Sequence, residues 1–144
     1  MNLLFFLTPK VEVAYLEEDY TLRQALEKME YHRYSSIPIL NKAGEYVGTI
    51  TEGDLLWAIK REGNLSVQAA ENIPILQIPR KKDYKCVQVE NSMDDLVDAS
   101  LTQNFVPVID GKNSFIGIVK RNSIIRYCYE KAKAAAPAVQ EKGT

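Results

Sequence analysis

A single histidine, a single tryptophan and two cysteines in 144 residues leave little material for a metal centre or a nucleophilic active site. His32 is the only histidine, and a general base needs an orienting partner or an adjacent nucleophile that the surrounding sequence does not supply. It reads as a surface residue at a helix end. Cys86 and Cys128 stand far apart in the chain, in no metal-ligand spacing and too few for a disulfide framework, so both read as reduced and structural. Trp57, between Leu56 and Ala58, reads as core or interface rather than a stacking platform.

Long apolar stretches are missing too. The run Leu3 to Leu7 has no basic residue ahead of it and is too short for a membrane span or a secretory signal, so the expectation is a cytoplasmic protein without a membrane partner. Neither sign of charge dominates: 18 Lys and Arg face 19 Asp and Glu, for a net charge of -1. That balance gives no general attraction to nucleic acid, and no nucleic-acid motif is present. There is no phosphate-binding glycine loop of either common kind, which leaves an enzyme without its usual signatures and a non-catalytic role as the expectation.

What is present is a duplication. Ser35-Ser36-Ile37-Pro38-Ile39-Leu40, a turn, then Gly48-Thr49-Ile50-Thr51-Glu52-Gly53-Asp54 return as Asn104-Phe105-Val106-Pro107-Val108-Ile109 and Gly117-Ile118-Val119-Lys120-Arg121-Asn122-Ser123. Pro38 to Pro107 and Gly48 to Gly117 are both 69 residues, so a strand, a turn, a second strand and a helix start recur in register. Each copy predicts a β-hairpin running into a helix, with Asn41-Lys42-Ala43-Gly44 and Asp110-Gly111-Lys112-Asn113 as the turns. Thr51-x-x-Asp54 has capping-box spacing ahead of Leu55, Leu56 and Ile59, so simple helix capping accounts for that motif without any ligand.

The rest of each copy follows the same order. An apolar lead-in, residues 1–10, precedes an alternating stretch Val11 to Leu16 that predicts a strand, and Thr21 to Arg33 carries Leu22, Ala25, Leu26 and Met29 as one helical stripe. In the second copy the strand is predicted at Cys86 to Val89 and the helix at Met93 to Gln103. The division is a first unit over 1–63 including the lead-in, a connection over 64–79 with one short helical turn, a second unit over 80–133 and a frayed tail over 134–144.

The duplicated apolar-Pro-apolar strand and the G-h-h-[ST]-x-x-D motif resemble the cystathionine-β-synthase (CBS) domain, here as the tandem pair called a Bateman module. The resemblance implies an α+β fold of two β-α-β-β-α units packed by pseudo-two-fold symmetry through their sheets, with two clefts for adenosine-containing ligands. It implies Asp54 as acceptor of the ribose hydroxyls and Thr51 as a hydroxyl near ribose or phosphate at a helix start. It places Val13, Ala14, Ser35, Ser36 and Ile37 at the adenine face, with Pro38 and Thr49 in the same strands. In the second unit Lys120 stands where the hydroxyl belongs and Ser123 where the acid belongs, so its ribose clamp is missing. Lys120 and Arg121, joined by Lys10 or Lys82, would meet the phosphates of a nucleotide held by Asp54, or else form a solvated basic surface.

The leading expectation is therefore a regulatory module that binds one adenine nucleotide per chain, uses it as a regulatory ligand and not as a catalytic cofactor, and acts on an unidentified protein. AMP, ADP, ATP, S-adenosylmethionine, NAD and cyclic di-AMP all remain open. The competing expectation is a dimerisation scaffold with vestigial clefts. A homodimer is expected from Leu55, Leu56, Trp57 and Ile59 beside Ile124, Ile125 and Tyr127, a stripe wider than one core face.

Overall fold

The duplicated stretch folds into the same hairpin twice. In the computed structural model, which describes residues 2–63, 66–81 and 83–136 apart from the side chains of Glu62 and Val67, strand β3 (Ser36–Leu40) pairs antiparallel with β4 (Tyr46–Thr51), and β6 (Phe105–Ile109) with β7 (Phe115–Lys120). Asn64, Leu65, Lys82 and residues 137–144 of the expected tail lie outside the described residues. The two turns place their left-handed residues at equivalent positions, Gly44 with φ 81° and Asn113 with φ 66°, since glycine and asparagine tolerate that region best.

Each hairpin runs directly into a helix, α2 (Glu52–Glu62) and α5 (Arg121–Ala135), and each is preceded by another, α1 (Leu22–His32) and α4 (Met93–Ser100). Thr21, Thr51 and Ser92 cap α1, α2 and α4 through capping boxes completed by Gln24, Asp54 and Asp95. Reciprocal bonds of this kind satisfy two of the amide groups that a helix start leaves free. Helix α5 departs from the pattern: its N-cap is Lys120, which makes no side-chain cap bond. A short helix α3 (Val67–Glu71) lies in the connection between the copies.

The strands form a three-stranded sheet in the order β2-β3-β4, with β2 at Leu16–Glu17, and a four-stranded sheet in the order β1-β7-β6-β5, with β1 at Leu7–Pro9 and β5 at Val87–Gln88. The lead-in therefore pairs with the second copy, although it precedes the first in the chain: Leu7 lies opposite Val119 and Pro9 opposite Gly117. The second copy's own lead-in makes the reverse crossing. Thr49 N–H of β4 donates to Asp83 Oδ1 at 3.2 Å, and Lys81 N–H donates to Asp54 Oδ1 at 3.1 Å. The two copies exchange arms. The alternating stretch Val11 to Leu16 is a strand only at its end, because Lys10–Glu12 coils into a 3-10 turn that leaves Val11 92% exposed.

Three apolar clusters hold this arrangement. Leu16, Leu22, Ile37, Ile39, Ile50 and Ile75 fill the first copy, and Leu3, Val87, Leu96, Val106, Val119 and Ile124 the second. Each such side chain, fully removed from water, contributes about 1.5–3 kcal/mol. A third cluster of Val13, Leu40, Phe105, Phe115 and Ile118 draws on both copies and joins the two sheets. The hairpin turns meet above it, where Phe115 N–H donates to the Gly44 carbonyl at 2.9 Å. Cys86 is half-buried beside Asp83, and burial first, then that carboxylate, pushes its thiol up to about 12, so it stays protonated and unreactive at neutral pH. Among the described residues no helix is long and apolar enough to cross a membrane.

Candidate functional site

Two clefts open where the copies meet, and the exchange of arms decides what lines them. The first, of about 350 Å3, is walled on one side by Thr51 and Asp54 at the start of α2 and on the other by Lys81, Asp83, Tyr84 and Asn104 of the second copy. The second, of about 560 Å3, is walled by Lys120, Arg121 and Asn122 at the start of α5 and by Val13, Arg33 and Ser35 of the first copy. In each, the helix-start motif of one copy faces the lead-in and the residues just before the inner strand of the other. Both volumes suit a nucleoside-sized ligand.

The expected single site is thereby divided. Thr51 and Asp54 line the smaller cleft, whereas Val13, Ser35, Ser36, Pro38, Lys120 and Arg121 line the larger one. Lys120 and Arg121 therefore do not face the ligand position beside Asp54. Residues of one unit look like neighbours along the chain, but packing across the pseudo-two-fold sets each motif against the opposite unit. Ile37 is fully buried in the first core, and Ala14 packs against that core, so neither reaches a cleft. Thr49 is fully buried, its hydroxyl bonded to that of Tyr46, whose own ionisation is displaced upward by burial. Lys10 also falls outside both clefts, with its Nζ 5.6 Å from the Tyr15 ring centroid.

Asp54 is buried, at 6% exposure, and its carboxylate is already in use. Oδ2 accepts from Thr51 N–H at 3.0 Å and Oδ1 from Lys81 N–H at 3.1 Å. A carboxylate offers about four acceptor positions, so one lone pair on each oxygen remains for a further donor. Asp83 completes the wall, gripped by Arg80 Nε at 2.6 Å. The arrangement can clasp the second copy's lead-in and still accept hydroxyl protons.

The larger cleft has the opposite electrostatics. Arg33, Lys120 and Arg121 line it, and among the described residues none that lines it is acidic. Arg121 is fixed by Nε, which donates to the Ser100 and Gln103 carbonyls at 2.9 Å each. Arg33, which sequence reasoning missed, caps α1 in the left-handed conformation with φ 59°. The only hint in the sequence is its place two residues before Ser35. The floor is apolar, with Val13, Phe105 and Ile118 contributed by both copies, and Asn104 Nδ2 reaches across to Ser35 Oγ at 3.1 Å. Among the described residues no group of His, Cys, Asp and Glu could hold a metal ion.

A pair of arm-exchanged β-α-β-β-α units enclosing two interfacial clefts is the architecture of a tandem-domain module. The CBS domain family model matches the chain twice, at residues 7–61 and 76–130, and the chain belongs to that family. It is 28% identical over 144 residues to an uncharacterized 17.7 kDa protein of Acidianus ambivalens, covering 95% of this chain and 80% of that one. Among solved structures it resembles the CbpB protein of Listeria monocytogenes in complex with c-di-AMP, with a TM-score of 0.77, 22% identity and coverage of 92% of this chain and 98% of that one. It also resembles CBSX2 in complex with AMP, with a TM-score of 0.73, 18% identity and coverage of 91% and 98%. At those identities the likeness is one of fold.

Proposed function

We propose that the chain is a regulatory module that senses an adenine nucleotide held between its two units and catalyses no reaction. The observation that carries this reading is that each cleft takes one wall from each unit, so a bound ligand ties the units together and biases their relative position. An adenine nucleotide is favoured because two proteins of this fold are complexes with adenine nucleotides, c-di-AMP and AMP. The ribose belongs beside Asp54, where the two remaining carboxylate lone pairs suit a vicinal diol and Thr51 adds a hydroxyl. Calorimetric titration of the full chain with AMP, ADP, ATP, S-adenosylmethionine, NAD and cyclic di-AMP is expected to show binding of at least one of them. Silence from the whole panel at millimolar concentration would leave the scaffold reading, in which Thr51 and Asp54 serve as the capping box of α2 alone.

The output is proposed to pass through a homodimer in the cytoplasm and from there to a regulated protein. Of the apolar helix residues expected at an interface, Leu55 and Ile124 are buried in the two cores, whereas Leu56 (58% exposed), Trp57 (54%) and Ile125 (58%) reach the surface and support this reading. Packing them against a second copy removes large apolar side chains from water. Light scattering at tens of micromolar is expected to give twice the chain mass, and a monomer there would overturn the dimer.

A further inference from the structure

The two units turn helix faces of opposite charge outward. Between α1 and α2 of the first unit lies an open groove of about 810 Å3, lined by apolar Leu26, Leu56 and Ile59 and by the acids Glu27, Glu30 and Glu52. Among the described residues Arg33 is the only cation lining it. Glu27 pairs with Arg23, whereas Glu30 and Glu52 are exposed and take part in no ion pair among the described residues. The second unit's counterpart is basic. Helix α5, which stands where α2 stands in the first unit, carries Arg126, Lys131 and Lys133 beyond its first residue against a single acid, Glu130, and all four are exposed. It is also lightly packed: Ile124 is the one buried residue of its 15, whereas α4 buries four of its eight. Ile125 and Tyr129, one turn apart on α5, are both exposed. A helix held so loosely by its own chain gains little from tertiary packing. An apolar stripe flanked by cations is complementary to an apolar groove rimmed by acids.

We infer that the homodimer is assembled head to tail, with α5 of each copy seated against the α1–α2 groove of the other. This orientation rests on the dimer proposed above and goes beyond it by fixing which faces meet. A two-fold axis that paired like units would set the acidic groove against itself and the basic helix against itself, and like charges facing one another across an interface are strongly disfavoured. Pairing unlike units sets acid against base at both contacts, and the two contacts together close the assembly at two copies. Helix α2 begins at the Asp54 cleft and α5 at the basic cleft, so each contact joins one kind of cleft in one copy to the other kind in its partner.

Charge reversal and cross-linking of the full chain test the orientation. Glu30→Lys and Arg126→Glu are each expected to weaken the dimer at least about tenfold by sedimentation equilibrium. The double variant is expected to return to within about threefold of wild type, because the reversed charges again face opposite partners. Both residues are exposed, lysine suits the last turn of α1 and glutamate is a good helix former, so the variants fold. Cys128, exposed on α5, is a native cross-linking site, and Leu56→Cys adds one at the groove. A short bismaleimide is expected to join Cys128 of one copy to the introduced cysteine of the other, as identified by peptide mapping, and to leave wild-type chains unjoined. Cross-links between two Cys128 residues or between two introduced cysteines, no cross-link at all, or a double variant no more dimeric than the single ones would overturn the head-to-tail orientation while the dimer stands. A wild-type monomer at tens of micromolar would overturn the dimer and the orientation together.

Discussion

Replacing Gly117 by alanine is expected to cost about 3 kcal/mol or more of folding stability, a fall in Tm on the order of 10 °C for a chain of this size. A Cβ built at Gly117 would lie 2.2 Å from the Thr8 carbonyl oxygen and 3.1 Å from Pro9 Cα. Those are backbone atoms of β1, held in register against Val119, Ile118 and Gly117, so no side chain can turn aside to make room. Relief requires β1 to lift off, which exposes Leu7 and loosens Leu3, buried in the second core. Gly48, at the equivalent position of the first unit, gives a useful contrast. There the obstructions are Asp83 Oδ1 at 2.4 Å and Arg80 Nε at 2.8 Å, both ends of side chains that can swing aside, so Gly48→Ala displaces Asp83 and costs about 1–3 kcal/mol for the Thr49 N–H left unpaired. Gly111→Ala, with nothing within 4 Å, is expected to change stability by about 1 kcal/mol or less. Thermal melts of the three variants check the order, and a Gly117→Ala protein as stable as Gly111→Ala would show that β1 is not held against β7.

The hairpins and their helices were legible because their signals are local. Ile37 to Leu40 and Tyr46 to Thr51 are bounded by turn residues, and Thr51-x-x-Asp54 carries its capping geometry within four residues, so sequence and structure agree there. The exchange of arms was not legible. Leu7 pairs with Val119, a partner most of the chain away, and β1 has only three residues, too few to show a period. The Val11 to Leu16 stretch alternates but is mostly not a strand, because the lead-in turns between the sheets there and its outward residues face solvent. The same long-range geometry hid the partition of the clefts. Residue types at Asp54 and Lys120 carried the chemistry, yet their distribution between two cavities is set by which unit each motif faces. Arg33 escaped notice because a left-handed helix cap has no characteristic residue type when it is not glycine or asparagine.

Asp54→Asn is expected to lower both stability and ribonucleotide affinity, and the two readouts separate the carboxylate's two roles. The wild-type carboxylate accepts backbone N–H groups from Thr51 and Lys81, one on each oxygen. An amide has one acceptor oxygen, so whichever way the substituted side chain turns, its NH2 faces one of those N–H groups and leaves it unpaired. Both N–H groups are only partly buried, so the one left unpaired costs about 1 kcal/mol, with a few tenths more for the acid lost from the first turn of α2. Tm should therefore fall by a few degrees without ligand. Binding is measured at a temperature where both proteins are folded. Charge-assisted bonds to two ribose hydroxyls are worth roughly 1.5–3 kcal/mol each, so losing the charge weakens ribonucleotide binding at least about tenfold. The ligand-induced rise in Tm shrinks in step, since it follows occupancy of the folded state. A variant that melts lower but binds ribonucleotides as wild type does would assign Asp54 to clasping the second unit's lead-in alone. One that keeps its Tm but loses binding would mean that Lys81 does not rest on the carboxylate, leaving both oxygens to the sugar.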